Sequence, residues 1–177
     1  MIIGCADSRV DPATIFSAAP GELFVMRNVA ALVPPCEETG SYHGTSAAIE
    51  FAVVSLKVRN IVVLGHGLCG GVAASLAAAE SQPLGRFIGP WVELLAGSRD
   101  QLLMGDVQLS REQLHKSLEH RAVQQSLENL MSFPFVAQSV AAGTLRLEGA
   151  WFSIAEAELQ WLDRGTGTFA PVPDGIS

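Results

Sequence analysis

The chain has 177 residues, 49% hydrophobic and 16% charged, with a formal charge of −7 and a pI of about 5.0. This fits one folded domain with a substantial core and argues against disorder. There is no basic stripe for nucleic acid and no apolar run of the roughly 18 residues a membrane span needs, so the chain reads as soluble and cytoplasmic.

Met1–Cys5 has the pattern of a short buried strand. Asp11-Pro12 supplies an N-cap and a first-turn proline for a helix over Ala13–Ala19, which Pro20-Gly21 stops. Glu22–Val29 is expected as a second strand, followed by a loop through Pro34-Pro35 and residues 37–44. Thr45–Val58 is helical in pattern, with Ile49, Val53 and Leu56 on one face. Asn60–Gly65 is a continuous apolar strand of the kind covered on both sides.

Gly70-Gly71 leads into another helix, and two amphipathic helices are expected over Trp91–Met104 and Arg111–Met131. Leu145–Ile154 and Glu158–Leu162 are expected as strands joined by a tight connection, with an irregular tail from Gly165. Strands alternating with helices predict an α/β fold, with a mostly parallel central sheet of four to five strands flanked by helices.

Three cysteines at irregular spacing argue against a disulfide framework and for thiolate chemistry or metal binding in a reducing compartment. Cys5 ends the first strand, and His66 and Cys69 directly follow the NIVVLG strand. If those strands are neighbours, the three side chains converge at the carboxyl edge of the sheet. Two thiolates and an imidazole with a vacant fourth position describe a catalytic zinc site. A helix starting at Gly70 would favour the Cys69 thiolate, and Gly70 and Gly71 would let the backbone crowd the metal. Alternation along the first strand is expected to bring Asp7 and Arg9 to the same side. Asp7 can accept a hydrogen bond from a metal-bound water, and Arg9 can hold Asp7 ionised through a bidentate pair.

The segments C-x-D-S-R at Cys5 and H-x-x-C-G-G at His66 together resemble the β-class carbonic anhydrases, in a plant-like pattern. The likeness extends through PGELFVMRNVAALVPP and SAAIEFAVVSLKVRNIVVLGHGLCGG, and more weakly through GTLRLEGAWFSI. The resemblance implies reversible hydration of CO₂ to bicarbonate and a proton by zinc-bound hydroxide. It implies one Zn²⁺ per chain held by Cys5, His66 and Cys69, with Asp7 and Arg9 as the gating dyad. Phe24 would line the substrate pocket with Gly67 and Gly70, and the chain would form a homodimer or higher homo-oligomer. A carbon disulfide or carbonyl sulfide hydrolase on the same scaffold is the alternative enzyme, and a catalytically impaired zinc-stabilised domain the alternative outside catalysis.

Family members usually carry a helical amino-terminal arm and a glutamine ahead of the first ligand. Neither precedes Cys5 here, which leaves a single catalytic domain over residues 1–177. Phe51 stands where a tyrosine is common, and Gly67 where a small side chain is usual. A second, inhibitory bicarbonate pocket is not expected, because Ile2 and Phe152 replace two of its three residues and only Arg27 remains. Cys36 reads as a bystander thiol, and His115 and His120 as solvated residues of a charged helix. His43 reads as a loop-packing residue, with proton transfer as its alternative. Arg27 and Asn28 support either the active-site wall or only a strand end.

Overall fold

The computed structural model describes residues 1–37, 39, 43–80 and 84–171. The chain runs β1 (Ile2–Cys5), α1 (Pro12–Ile15), β2 (Val25–Asn28), α2 (Gly44–Glu50), β3 (Asn60–His66) and α3 (Gly70–Ala79). It continues through α4 (Ile88–Val92), α5 (Ala96–Met104), α6 (Arg111–Leu130), α7 (Pro134–Ala141), β4 (Arg146–Ser153), β5 (Glu158–Asp163) and β6 (Thr168–Pro171). The strands form one six-stranded sheet in the order β2-β1-β3-β4-β5-β6. The first four are mutually parallel, and β5 and β6 add antiparallel at one edge.

The expected α/β architecture is present, but the sheet has six strands rather than four to five. The sixth comes from the tail expected to be irregular. Asp163 accepts hydrogen bonds from the backbone N–H of Gly165 (2.7 Å) and Thr166 (3.3 Å), which turns the chain back so that Thr168–Pro171 pairs with β5. Residues 172–177 of that tail lie outside the described residues, as does Tyr42 in the expected loop.

Alternation sorts the central strands onto two faces. Ile3, Ile61, Val63 and Leu147 join Ile49, Val53, Val123, Leu127, Leu130 and Val136 in the larger core. Ile2, Val62, Leu64 and Ala150 face the other way, against Ile15, Phe16, Leu159 and Trp161. Two glycines set how closely α6 lies on the first face. A Cβ at Gly65 would fall 2.6 Å from Val123 Cγ2, and one at Gly149 would fall 2.9 Å from Val123 Cγ1. The same helix starts with a capping box, in which Ser110 and Gln113 exchange side-chain-to-backbone bonds.

Other expected elements are shortened or broken. The first helix is a single turn, capped where Asp11 accepts the Thr14 N–H at 2.9 Å, and it ends before Ser17 turns left-handed (φ 51°). The second strand begins only at Val25. The helix expected over Thr45–Val58 is α2 followed by a π-helical stretch at Phe51–Ser55. The helix expected over Trp91–Met104 is α4, a 3₁₀ turn at Glu93–Leu95, and α5. Pro134, unassigned in the sequence, starts α7.

Candidate metal centre and its surroundings

Strands β1 and β3 pair in parallel, with Gly4 opposite Leu64, so Cys5 and His66 emerge at the same carboxyl edge. Cys69 follows as the N-cap of α3. The Cys5 and Cys69 sulfurs lie 4.0 Å apart, and the three potential ligand atoms all lie within 4.8 Å of one another. All three side chains are buried.

The imidazole is oriented from its other nitrogen. Nδ1–H donates to the Gly67 carbonyl at 2.8 Å, which leaves the Nε2 lone pair free to bind a metal. Among the described residues the buried Nε2 has no hydrogen-bond partner. A buried polar atom without a partner is costly, and a soft two-thiolate, one-imidazole set is a zinc donor set with one position left for a small molecule. The residues therefore fit a catalytic zinc ion.

The Cys5 thiol is made acidic, chiefly by its hydrogen bond with Cys69 and, against the opposing effect of burial, by His66 and the backbone N–H groups of Asp7 and Ala30. Ala30 donates to the Cys5 sulfur at 3.4 Å from a turn in which Ala30 and Ala31 adopt left-handed φ values of 65° and 54°. Asn28 braces that turn: its Oδ1 accepts the Leu32 N–H at 2.9 Å and its Nδ2 donates to the Leu32 carbonyl at 2.8 Å. Gly71 is the glycine the crowding requires, because a Cβ there would lie 2.6 Å from Val29 and 2.9 Å from Ala30. Gly70 instead faces open space.

Asp7 and Arg9 pair, but not through strand alternation. The strand ends at Cys5, and both residues sit in the turn beyond it. Asp7 Oδ1 accepts from the Arg9 N–H and Nε–H, each at 2.9 Å, and Oδ2 accepts from Nη2 at 2.7 Å. Those bonds hold the Asp7 carboxyl far below the usual carboxylate range. Arg9 Nη2 also donates to the Leu68 carbonyl at 3.1 Å. Arg27 ties the same segment from β2, donating to the carbonyls of Cys5 (2.7 Å), Asp7 and Val10. It therefore supports the site wall rather than only a strand end.

Phe24 is not brought to the cluster within one chain. It packs with the larger core and against Phe51, with ring centroids 5.9 Å apart. Gly67 is buried beneath the indole of Trp151, where a Cβ would sit 3.2 Å from Cζ2. An open apolar trough of about 530 Å³, lined by Ala6, Asn28, Val29, Phe87, Ile88 and Trp91, runs up to the residue after Cys5.

Two expectations about α6 are corrected. His115 is not simply solvated: its Nε2 lies 3.1 Å from the Cys69 carbonyl and 3.3 Å from Glu119 Oε1. His120 is wedged between Trp151 and Phe169, at centroid distances of 5.0 and 4.3 Å, and its buried Nε2 has no hydrogen-bond partner among the described residues. Glu119, which carried no expectation, is 3% exposed and accepts the Cys69 N–H at 3.0 Å. A carboxylate hidden in REQLHKSLEHR gives no sign of facing inward, because its neighbours in sequence are charged as well. His43 is exposed, and Cys36 is half-buried with its backbone N–H on Ser132.

A family model described as carbonic anhydrase matches residues 1–159. A curated relative, β-carbonic anhydrase 3 of Arabidopsis thaliana, is 34% identical over 158 residues, covering 88% of this chain and 61% of its own length. The chain thus spans about three-fifths of that relative. Among solved structures, the β-carbonic anhydrase CcaA superposes with a TM-score of 0.89 at 30% identity, over 97% of this chain and 82% of that one. CafA of Aspergillus fumigatus gives 0.82 at 33% identity, over 92% and 74%. A chain from a study of two tetrameric β-carbonic anhydrases of Sordaria macrospora gives 0.77 at 29%, over 99% and 81%.

Proposed function

This chain belongs to the β-carbonic anhydrase family, and from that premise we propose that it catalyses the reversible hydration of CO₂ to bicarbonate and a proton. The observation that carries the reading is the buried Cys5–His66–Cys69 cluster with the Asp7–Arg9 pair beside it. Those three residues would hold one zinc ion per chain, which when bound supplies a Lewis acid that acidifies water at neutral pH.

The rest is done by the protein's own groups. Arg9 keeps Asp7 ionised and turned toward itself, so the carboxylate is a hydrogen-bond acceptor of fixed direction and not a fourth ligand. Asp7 orients the reacting water, and its backbone carbonyl is in turn held by Arg27. The apolar trough next to Ala6 suits a substrate without charge or dipole and disfavours polar competitors.

A homodimer or higher homo-oligomer is the assembly we infer. Among the described residues β2 is an edge strand, and Val25 on it and Phe51, Val54 and Leu56 in the π-helical stretch and at its end are 39–53% exposed. An apolar edge of this kind is normally covered. Phe24, whose ring centroid lies 5.9 Å from that of Phe51, would line a substrate pocket only if such an assembly brings it to the partner subunit's cluster. The unpaired thiols of the ligand set support a reducing, cytoplasmic location.

The test is stopped-flow CO₂ hydration by the zinc-loaded chain, with Cys69→Ala as control and carbonyl sulfide as competing substrate. Fast CO₂ turnover that the control loses is the expected result. One bound zinc per chain with no CO₂ turnover, or turnover of carbonyl sulfide alone, overturns it.

A further inference from the structure

The loop joining β3 to α3 is conformationally demanding. Leu68 sits in the left-handed region (φ 55°), which costs a side-chain-bearing residue about 1 kcal/mol or more, and it is exposed, so packing does not hold it there. Cys69 comes next and must present its sulfur to the cluster. What fixes the loop is visible bond by bond. Gly67 N–H donates to the Phe152 carbonyl at 2.9 Å. The peptide unit between Leu68 and Cys69 is gripped at both ends: its oxygen accepts from Arg9 at 3.1 Å, and its N–H donates to Glu119 Oε1 at 3.0 Å. The following carbonyl, of Cys69, meets His115 Nε2 at 3.1 Å as well as the Ala73 N–H at 3.0 Å.

Glu119 is itself braced. Its Oε2 accepts the indole N–H of Trp151 at 3.2 Å, and its Oε1 also lies 3.3 Å from His115 Nε2. Gly67 makes room for that indole. Burial pushes the Glu119 carboxyl above its ordinary range, against the Cys69 N–H, His115 and Trp151. A buried carboxylate is an expensive way to fill space, and an apolar residue of similar size packs as well or better. Its bonds are spent on the backbone of one cysteine and on the two side chains that hold it in place.

We propose that Glu119, with His115, is a positioning pair for Cys69: Glu119 holds the N–H of the Leu68–Cys69 peptide at the end opposite Arg9, His115 holds the carbonyl of the peptide that follows, and the two so set the direction and reach of the third metal ligand. The proposal rests on the zinc reading above. Partners of metal ligands are typically worth about 10–100-fold in metal affinity, and here the partner acts on the ligand's backbone.

The test compares Glu119→Gln, His115→Ala, Cys69→Ala and the unaltered chain. It measures zinc release to a chromogenic chelator, the thiolate-to-metal charge-transfer band of the cobalt-substituted protein, and the melting temperature of each metal-free form. For Glu119→Gln we expect zinc release about tenfold faster or more and a shifted cobalt band, with metal-free melting unchanged or raised. His115→Ala moves both metal readouts the same way by a smaller factor. Release and band unchanged in both variants overturn the proposal, as does a lower metal-free melting temperature with metal readouts intact. If Glu119→Gln fails to fold, His115→Ala alone decides by the same criteria. If Cys69→Ala holds zinc as tightly as the unaltered chain, the zinc reading fails, and this proposal with it; Cys69→Ala losing zinc while the other two variants keep it defeats the positioning pair alone.

Discussion

Arg9 has two tasks that a single substitution removes together. It directs Asp7 and it holds the Leu68 carbonyl. Arg9→Ala is expected to lower kcat/KM for CO₂ hydration by about a hundredfold, the scale of one lost oriented proton acceptor, with zinc stoichiometry unchanged. Stopped-flow kinetics beside metal analysis checks this, and unchanged kcat/KM would refute it. At this scale the grouping of the candidate site was largely legible. Cysteine, histidine, aspartate and arginine stand out where apolar strands end, and the structure brings Cys5, His66 and Cys69 together and pairs Asp7 with Arg9. Glu119 and Trp151 were not legible in this way. A glutamate in a charged helix and a tryptophan in an apolar strand look like surface and core, and only tertiary packing brings them to Cys69.

Among the elements, α6 is the one whose inner face carries most of the polar surprises. His120 is half-buried between two aromatic rings, and its pKa is lowered to about 4, first by burial and then by the charge of Lys116. In the unfolded chain it would titrate near 6.5. The unfolded state therefore binds more protons between those values, so the contribution is complete above about pH 6.5 and lost as the pH falls toward 4. Discounted for solvent at the ring's open side, the loss is about 1–2 kcal/mol. Urea unfolding at pH 7 and pH 4.5 should show that difference in the unaltered chain, over and above the change in His120→Phe; equal pH responses in the two would refute it. Element by element, long continuous patterns such as NIVVLG and Arg111–Met131 were readable to within a residue of the observed ends, because burial on a sheet or helix face leaves a period in the sequence. The break of one expected helix into α4, a 3₁₀ turn and α5 was not, and neither was the π-helical stretch at Phe51–Ser55. The bonds that shift there are backbone bonds, which the side-chain pattern does not record. Strand β6 was missed because its signal is a turn made by Asp163 rather than an apolar run.

For the whole molecule, the exposed apolar residues of the Phe51–Ser55 stretch lead to a test of the proposed assembly. Val54→Asp places a charge on a residue 53% exposed in the single chain. Light scattering should then show the assembly falling to single-chain mass; an unchanged mass would place the subunit contact elsewhere. The sequence allowed β1 and β3 to be put side by side only because their ends carry matching chemistry, and it held no comparable marker for the order of the antiparallel strands. That β1–β3 adjacency also governs when the cluster can exist. Cys5 and Cys69 are 64 residues apart in the chain, and bringing such distant points together costs about 4 kcal/mol of loop entropy. The sulfurs are held 4.0 Å apart by the docking of those two strands, so the cluster is expected to form late, with the fold already made. A zinc ion held there as proposed would be a latch closed behind the chain: the loaded protein should refold at the metal-free rate yet unfold more slowly, a difference that denaturant-jump kinetics with and without chelator would read directly.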